Sequence, residues 1–257
     1  MLIELRIAVC AAMLVTAAII DVRKREIPDK IWIGFGAFGA LLAAIDFAGL
    51  GNGLAGNSAD GPSNQTALFG YLLGIGLITP IGYAIYKTGL FGGADSKALI
   101  AIPVILPPLS GIVPFQIHGF TALTALTNAL IISMSQLVVN AGRNLVAVAK
   151  GMPIFEGIEE GTARKALAFA MGYKTNNAQG YLFPMEGIDE SGKRRFAFNP
   201  SHYDEFVDEK EDNQGSAKNN GMWVTQALPF IVYIAIGFVI TIVVGDLLAL
   251  VFQKLLF

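Results

Sequence analysis

The sequence predicts an all-α polytopic membrane protein with six transmembrane helices and a small α+β cytoplasmic domain between helices five and six. Composition is the first reason, because 54% of the residues are hydrophobic and only 15% are charged. The second reason is a series of apolar runs of about twenty residues, the length that crosses a bilayer as a helix. The third is an uneven distribution of Lys and Arg among the short loops, which is typical of membrane proteins.

Each predicted span is an apolar run bounded by charged or turn-forming residues. The fourth run contains three prolines and is too short to cross the bilayer unless it continues to Ile117. Irregular segments of this kind are tolerated where protein surrounds them. The predicted spans cover residues 2–20, 31–47, 66–86, 98–109, 120–139 and 227–250.

The short loops determine the predicted orientation. Residues 23–30 contain four basic residues, whereas residues 49–65 and 107–119 contain no Lys or Arg. Basic residues favour the cytoplasmic side, so we expect the N-terminus outside and both Asp21 and Asp95 at the cytoplasmic face. The first apolar run is expected to be retained as a helix, because a signal peptide carries its positive charge before the run and not after it.

Three regions are expected along the chain: a membrane domain with the active site over residues 1–141, a cytoplasmic domain over residues 142–222, and the sixth transmembrane helix within residues 223–257. In the cytoplasmic domain the pattern predicts a helix over residues 153–175 and a hairpin that pairs residues 181–183 with 195–198. Residues 204–212 form an acidic run, and residues 213–220 have the composition of a flexible linker.

Several classes of function are disfavoured by composition. A single cysteine, Cys10, excludes an internal disulfide and any paired-cysteine zinc site, and two histidines leave little material for a metal centre. A net charge of −2 argues against nucleic-acid binding. We therefore expect no cofactor and no metal, with the lipid bilayer as the surroundings of the chain.

Two carboxylates, Asp21 and Asp95, lie far apart in sequence but at the same predicted membrane depth. An ionisable residue at a membrane boundary is a candidate functional site. Paired carboxylates can share a proton, so that one takes a proton from water while the other polarises a substrate carbonyl. Two structural alternatives remain open: Asp95 caps the helix that follows it, and Asp21 pairs with Arg23 or Arg25.

The loop around Asp95 consists of Gly92, Gly93, Ala94 and Lys97. Its glycines permit a hinge or simply form a turn. Lys97 either lowers the pKa of Asp95 or extends its charge to the membrane surface. Since the negative end of the helix dipole lies near Asp21 and the positive end near Asp95, we expect Asp95 to be ionised and Asp21 to be protonated.

The motifs Asp21-Val22-Arg23-Lys24-Arg25-Glu26-Ile27-Pro28-Asp29 and Gly92-Gly93-Ala94-Asp95-Ser96-Lys97 resemble the two active-site motifs of type IV prepilin peptidases, and more closely those of the archaeal preflagellin peptidases. That family writes the second motif Gly-x-Gly-Asp, and here Ala94 stands in place of the second glycine.

The resemblance implies an integral-membrane aspartyl endopeptidase of the plasma membrane, with Asp21 and Asp95 as catalytic residues and no cofactor. Its partners would be precursors of archaellin or type IV pilin-like subunits. Their class III signal peptides would be removed on the cytoplasmic side, just before the hydrophobic helix of the subunit. Bacterial members often add a Cys-rich segment and a methyltransferase activity, and this chain, which lacks such cysteines, is expected to be a peptidase only.

Acidic residues outside the motifs allow two interpretations. Glu156, Glu159 and Glu160 are weak candidates for binding a basic leader peptide, and a solvated charged face is the alternative. Asp46 and Asp246 are expected to be structural.

Two other function classes were compared with the peptidase. A presenilin-like intramembrane protease shares the Gly-x-Gly-Asp pattern, but here the first aspartate ends a helix beside a basic cluster and a proline. A proton-coupled transporter using the same acids would be expected to show sequence repeats and acids at the membrane midplane. Neither feature is visible in the sequence.

Overall fold

The computed structural model is mostly helical and contains a small sheet region, as the sequence predicts. The chain divides into two compact units, one comprising Met1–Ser133 with Pro229–Phe257 and the other Met134–Leu228. The predicted acidic run and linker lie outside the described residues. The structure describes residues 2–48, 64–88, 91–109, 117, 119–176, 182–188, 192–198, 221–226 and 229–256.

The first unit contains seven helices within its described residues. Pro28 precedes the helix that begins at Asp29, and Gly92 precedes the helix that begins at Gly93. The helices are α1 (Leu2–Lys24), α2 (Asp29–Phe47), α3 (Asn64–Lys87), α4 (Gly93–Ile105), α5 (Thr121–Ser133), α8 (Phe230–Val243) and α9 (Leu247–Leu256).

Four helical runs within the described residues are long and apolar enough to cross a membrane: Leu2–Lys24, Asp29–Phe47, Thr66–Lys87 and Thr121–Ala149. A fifth is present if α8 and α9, which are bent by 58° at their junction, act as one span. The chain is therefore an integral membrane protein of four or five candidate spans in its described part, compared with six predicted. The fourth predicted span is not among them, because α4 has 13 residues and does not cross by itself. The sixth is present only if α8 and α9 act as one span.

Helix α4 packs against α1, α2, α3, α5 and α8. Its approach to α2 and α3 depends on two glycines. A Cβ on Gly39 would lie 2.8 Å from the Ile105 Cα, and one on Gly82 would lie 2.8 Å from the Ile100 Cγ1. Small residues allow close helix packing in membranes, and here they hold the helix that carries Asp95.

A buried ion pair joins α1 and α2. The Arg6 Nη1 lies 2.8 Å from the Asp46 Oδ2, and both side chains are almost fully buried. A charge in an apolar surrounding needs a partner, so this contact explains why two charged residues occur inside apolar helices. Asp46 is structural here, as the sequence predicts.

The last predicted span is interrupted, which the sequence analysis did not foresee. Gly245 has a φ of 101°, and α9 begins after it. Asp246 accepts hydrogen bonds from the backbone N–H groups of Leu248 (2.9 Å) and Ala249 (3.3 Å), so it caps α9. Asn128 of α5 donates to the Gly245 carbonyl (2.9 Å) and satisfies part of the break.

The second unit contains α6 (Ser135–Ala149), α7 (Thr162–Met171) and five short strands. The strands form a three-stranded antiparallel sheet in the order β1-β5-β2 and a two-stranded sheet of β3 and β4. The strands are β1 (Tyr173–Thr175), β2 (Leu182–Pro184), β3 (Glu186–Ile188), β4 (Arg194–Phe196) and β5 (Met222–Gln226).

Two predictions for this unit are wrong. The predicted hairpin pairs residues 181–183 with 195–198, but β2 pairs with β5, and β4 pairs with β3. The helix predicted over residues 153–175 is only ten residues long and begins at Thr162. Residues 153–160 form turns and an isolated bridge instead, since Ile154 and Ile158 are buried against the sheet.

Trp223 is the centre of the core of the second unit. Its side chain has no exposed surface, and its indole N–H donates to the Ile154 carbonyl at 2.9 Å. Its ring stacks on Phe155, with centroids 5.2 Å apart, and meets Phe196 edge-on at 5.3 Å. Buried aromatic contacts of this kind stabilise small domains.

Candidate active site

Asp21 lies inside α1, in its last turn, because the helix continues past the end of the apolar run to Lys24. The helix ends at Arg25, whose backbone N–H donates to the Asp21 carbonyl at 2.9 Å. Arg25 has a φ of 57°, a conformation that non-glycine residues rarely adopt. It is the only non-glycine residue with positive φ in the described chain. The Arg25 guanidinium is close enough to act on the charge of Asp21.

Asp95 lies in the first turn of α4, with only 9% of its surface exposed. Gly92 precedes the helix, and its backbone N–H donates to the Asp95 Oδ2 at 3.1 Å. The Asp95 carboxylate therefore accepts a hydrogen bond from the residue that precedes the helix. This is part of the structural alternative, in which Asp95 caps this helix. This bond uses one of its two carboxylate oxygens.

The two carboxylates influence each other. Burial raises the pKa of Asp95 to about 6, the hydrogen bond from Gly92 opposes this rise, and the negative charge of Asp21 adds to it. The structure thus brings together, from α1 and α4, the two acids that the sequence singled out. Groups of like charge at one site titrate as a pair.

The burial of Asp95 acts against the expectation that Asp95 is ionised and Asp21 is protonated. The sequence-based expectation relied on the helix dipole, which favours an ionised carboxylate at the start of α4. Removing Asp95 from water has a larger effect than the hydrogen bond from Gly92, because the pKa of Asp95 rises despite that bond. Burial therefore opposes the expectation that Asp95 is ionised, and which acid holds a proton stays a prediction.

Lys97 pairs with Asp29 and not with Asp95. Its Nζ lies 2.5 Å from the Asp29 Oδ1, and both side chains are largely exposed. Lys97 is not among the groups that shift the pKa of Asp95. Instead it joins the second motif to the last residue of the first. Sequence reasoning overlooked Asp29, although its place in the first motif was a usable signal.

The three residues before Asp95 have ordinary backbone conformations. Gly92 has a φ of −63°, and Gly93 and Ala94 belong to the first turn of α4. Ala94 therefore needs no positive φ, and an alanine in place of glycine suits a helix. Gly92 has a specific use, since a Cβ there would lie 3.2 Å from the Asp95 Oδ2 and crowd the carboxylate.

The three candidate glutamates lie in the second unit, before α7. Glu160 is nearly buried, pairs with Arg164 and accepts a hydrogen bond from the Phe196 N–H at 3.1 Å. Glu159 pairs with Lys193 at the surface, and Glu156 is exposed in a turn. Glu160 therefore has a structural role, and a substrate role for the other two stays a prediction.

Comparison with known proteins gives matches over most of the chain. Residues 8–139 match the type IV leader peptidase family, and residues 165–247 match the archaeal peptidase A24 C-terminus, type II. A preflagellin peptidase of Methanococcus maripaludis is 25% identical over 240 residues, which cover 91% of this chain and 92% of that protein. A preflagellin peptidase of Methanocaldococcus jannaschii is 23% identical over 241 residues, 91% of each chain.

Proposed function

Because the chain belongs to the type IV leader peptidase family, we propose that it is a membrane aspartyl endopeptidase that removes class III signal peptides from archaellin or type IV pilin-like precursors. The observation that supports an aspartyl mechanism is the electrostatic coupling of Asp21 and Asp95. Two acids from separate helices are brought together at a site where burial keeps a proton available near neutral pH.

The proposed chemistry divides the work between the two acids. Asp21 is the ionised partner, beside Arg25, and takes a proton from the attacking water. Asp95 holds the shared proton and donates it towards the carbonyl of the scissile peptide bond. The water oxygen then forms the new bond to the carbonyl carbon. Collapse of this intermediate breaks the peptide bond, with a proton passing to the leaving amine.

The proposal includes an orientation and an arrangement of spans. The dyad faces the cytoplasm, because the basic residues of segment 23–30 favour that side. Residues 142–222 form a cytoplasmic domain, and α4 is the fourth of six membrane segments without crossing by itself. Single-cysteine labelling of exposed Glu26 and Met152 in a Cys10→Ala background tests this, since both should react only from the cytoplasmic side.

Cleavage of a precursor is the direct test of the proposed function. The chain is co-expressed with an archaellin precursor carrying a class III signal peptide, and the mature subunit is detected by its smaller size. Cleavage is expected with the wild type and not with Asp95→Asn. It should survive EDTA, because two histidines and one cysteine cannot build a zinc site without carboxylates. Loss with EDTA and recovery with zinc would show instead that the acids bind a metal.

Recognition of the leader peptide is a finer part of the proposal. Class III leaders are basic before the cut, and the exposed carboxylates of Glu156 and of Glu159, which also pairs with Lys193, are candidates to attract them. Neutralising both should raise KM at low salt and leave kcat unchanged. An unchanged KM and an unchanged salt dependence would show that these residues form only a solvated surface.

A further inference from the structure

The end of α4 farthest from Asp95 lacks backbone donors of its own. The last four carbonyl groups of any helix have no partner within the helix. The Leu106 N–H satisfies the Ile102 carbonyl at 2.8 Å, but Val104 and Ile105 still need donors. Ile105 and Leu106 are buried in the apolar core of the first unit, so the Ile105 carbonyl must be satisfied by a protein group.

Side chains from two other helices satisfy them. The Arg6 Nε of α1 donates to the Ile105 carbonyl at 2.7 Å. The Tyr71 hydroxyl of α3 donates to the Val104 carbonyl at 2.6 Å. Arg6 is in turn held by Asp46 of α2 at 2.8 Å, and its guanidinium lies 5.6 Å from the centre of the Tyr71 ring. We call Arg6, Asp46 and Tyr71 the α4 clamp.

The clamp connects the same two helices that carry the acids. Asp21 and Arg6 both belong to α1, about 22 Å apart along the helix axis, and Asp95 and Ile105 both belong to α4, about 15 Å apart. The two helices therefore meet at one end through the acids and at the other through the Arg6 hydrogen bond. A charge-assisted hydrogen bond at the far end resists sliding and rotation of α4 against α1.

We propose that Arg6, Asp46 and Tyr71 are positioning residues for the dyad, which fix α4 so that Asp95 stays at its working distance from Asp21. The inference rests on the proposed function of the two acids. None of the three side chains lies near them, so they act through the backbone of α4. A displacement of about 1 Å at a catalytic group lowers the rate about 100-fold, so this control of position affects kcat and leaves KM nearly unchanged.

Two variants remove the clamp in different ways. Tyr71→Phe removes one hydroxyl and keeps the ring. The double variant Arg6→Met with Asp46→Leu removes the ion pair without leaving an unpaired buried charge, and it leaves the Ile105 carbonyl without a donor. The matched control is Thr241→Val, which removes one buried hydroxyl that contacts Asn128 and Gly237 but not α4.

The experiment measures kcat and KM for precursor cleavage in detergent, together with the melting temperature of each variant. We expect kcat to fall about 3–10-fold in Tyr71→Phe and about 10–100-fold in the double variant, with KM within twofold. Thr241→Val should lower the melting temperature but keep the wild-type kcat. A wild-type kcat in Tyr71→Phe overturns the proposal. This outcome decides the matter even if the double variant does not fold. An equal kcat loss in Thr241→Val overturns it as well, because the effect would then reflect stability alone.

A distance measurement separates this inference from the proposed function. Spin labels are placed at exposed Val22 and Lys97 in a Cys10→Ala background, near the acid ends of α1 and α4. The distance distribution is expected to shift or broaden in Tyr71→Phe and in the double variant, and to stay unchanged in Thr241→Val. If the wild type cleaves no precursor, the proposed function fails, and the labels still test the clamp. An unchanged distribution in Tyr71→Phe then overturns the inference.

Discussion

The two ends of the α1–α4 contact carry opposite kinds of charge pair. At one end Arg6 and Asp46 have opposite charges and lie 2.8 Å apart, with both side chains buried. At the other end Asp21 and Asp95 are both acids, and the negative charge of Asp21 adds to the rise in the pKa of Asp95. Arg6 and Asp46 lie on the consecutive helices α1 and α2, whereas Asp21 and Asp95 lie on α1 and α4, and both pairs belong to the same unit.

This difference distinguishes a structural ion pair from a pair of acids that is suited to proton transfer. In a buried pair of opposite charges each charge offsets the other, so that removing one partner leaves an uncompensated buried charge. A pair of carboxylates in a partly dehydrated site destabilises the fold, and such an arrangement is typical of sites where a proton has to be held and transferred. An acid in a membrane helix is thus not functional merely because it is buried, since Asp46 is as buried as Asp95.

Replacing each acid of the dyad by its amide should have the largest effect on activity. We expect Asp21→Asn and Asp95→Asn each to lower kcat/KM by about 10²–10⁴-fold, because proton transfer is lost. Asp246→Asn is the matched control, since asparagine is an equally good helix cap and should keep activity within twofold. Steady-state cleavage of a purified precursor measures all three. Full activity in either dyad variant would show that the acids are not catalytic.

The next largest effect concerns stability and has opposite signs at the two ends. Asp46→Leu or Arg6→Met alone leaves a buried charge unpaired and should lower the free energy of unfolding by about 3–5 kcal/mol. The double variant should lose much less than the sum of the two. Asp95→Asn should instead stabilise the fold, because it removes a dehydrated carboxylate. Denaturation in detergent measures these changes, and single clamp variants as stable as the wild type would contradict the interpretation.

Apolar runs predicted the membrane helices well, because length and composition alone decide whether a segment is helical in a bilayer. The second span was predicted over residues 31–47, and α2 is Asp29–Phe47. The break at Gly245 was missed, since a glycine within an apolar run is common in membrane helices. The short strands were paired wrongly because three residues of alternating pattern carry no information about their partner.

The candidate site could be proposed from the sequence because its signals are local. Asp21 and Asp95 were singled out since each stands in a distinctive local pattern at a predicted membrane boundary, and their catalytic role stays a prediction. The clamp was not found, because Arg6, Asp46 and Tyr71 are single polar residues in three separate runs and nothing local connects them. The expected ionisation of Asp95 relied on the helix dipole, whereas burial by neighbouring helices, which the sequence does not display, raises the pKa of Asp95.

The pH dependence of cleavage tests the proposed role of the Asp21–Asp95 pair. Burial raises the pKa of Asp95 from 3.8 to about 6, and on the proposed mechanism the dyad therefore keeps its shared proton below about pH 6 and loses it above. We therefore expect kcat/KM to fall as the pH rises through about 6 to 8, by up to tenfold per pH unit. The free energy of unfolding should also fall between about pH 4 and pH 6, because the unfolded chain releases this proton first. A rate that rises across the same range would contradict the proposed role of Asp95.

The smallest expected effect concerns a third charge pair, Lys97 with Asp29, which lies at the acid end but at the surface. With 48% and 68% of these side chains exposed, water screens the pair, and it should contribute less than about 1 kcal/mol to stability. Lys97→Ala should therefore keep kcat within about threefold and leave the pH at which cleavage declines unchanged, because Lys97 does not shift the pKa of Asp95. Asp29→Ala is the matched control and should give the same result, since it breaks the same contact from the other side. If Lys97→Ala alone moved the decline to a higher pH, the Lys97 charge would be acting on Asp95 after all. The acid end would then resemble the Arg6–Asp46 end, with a cation that offsets its carboxylate.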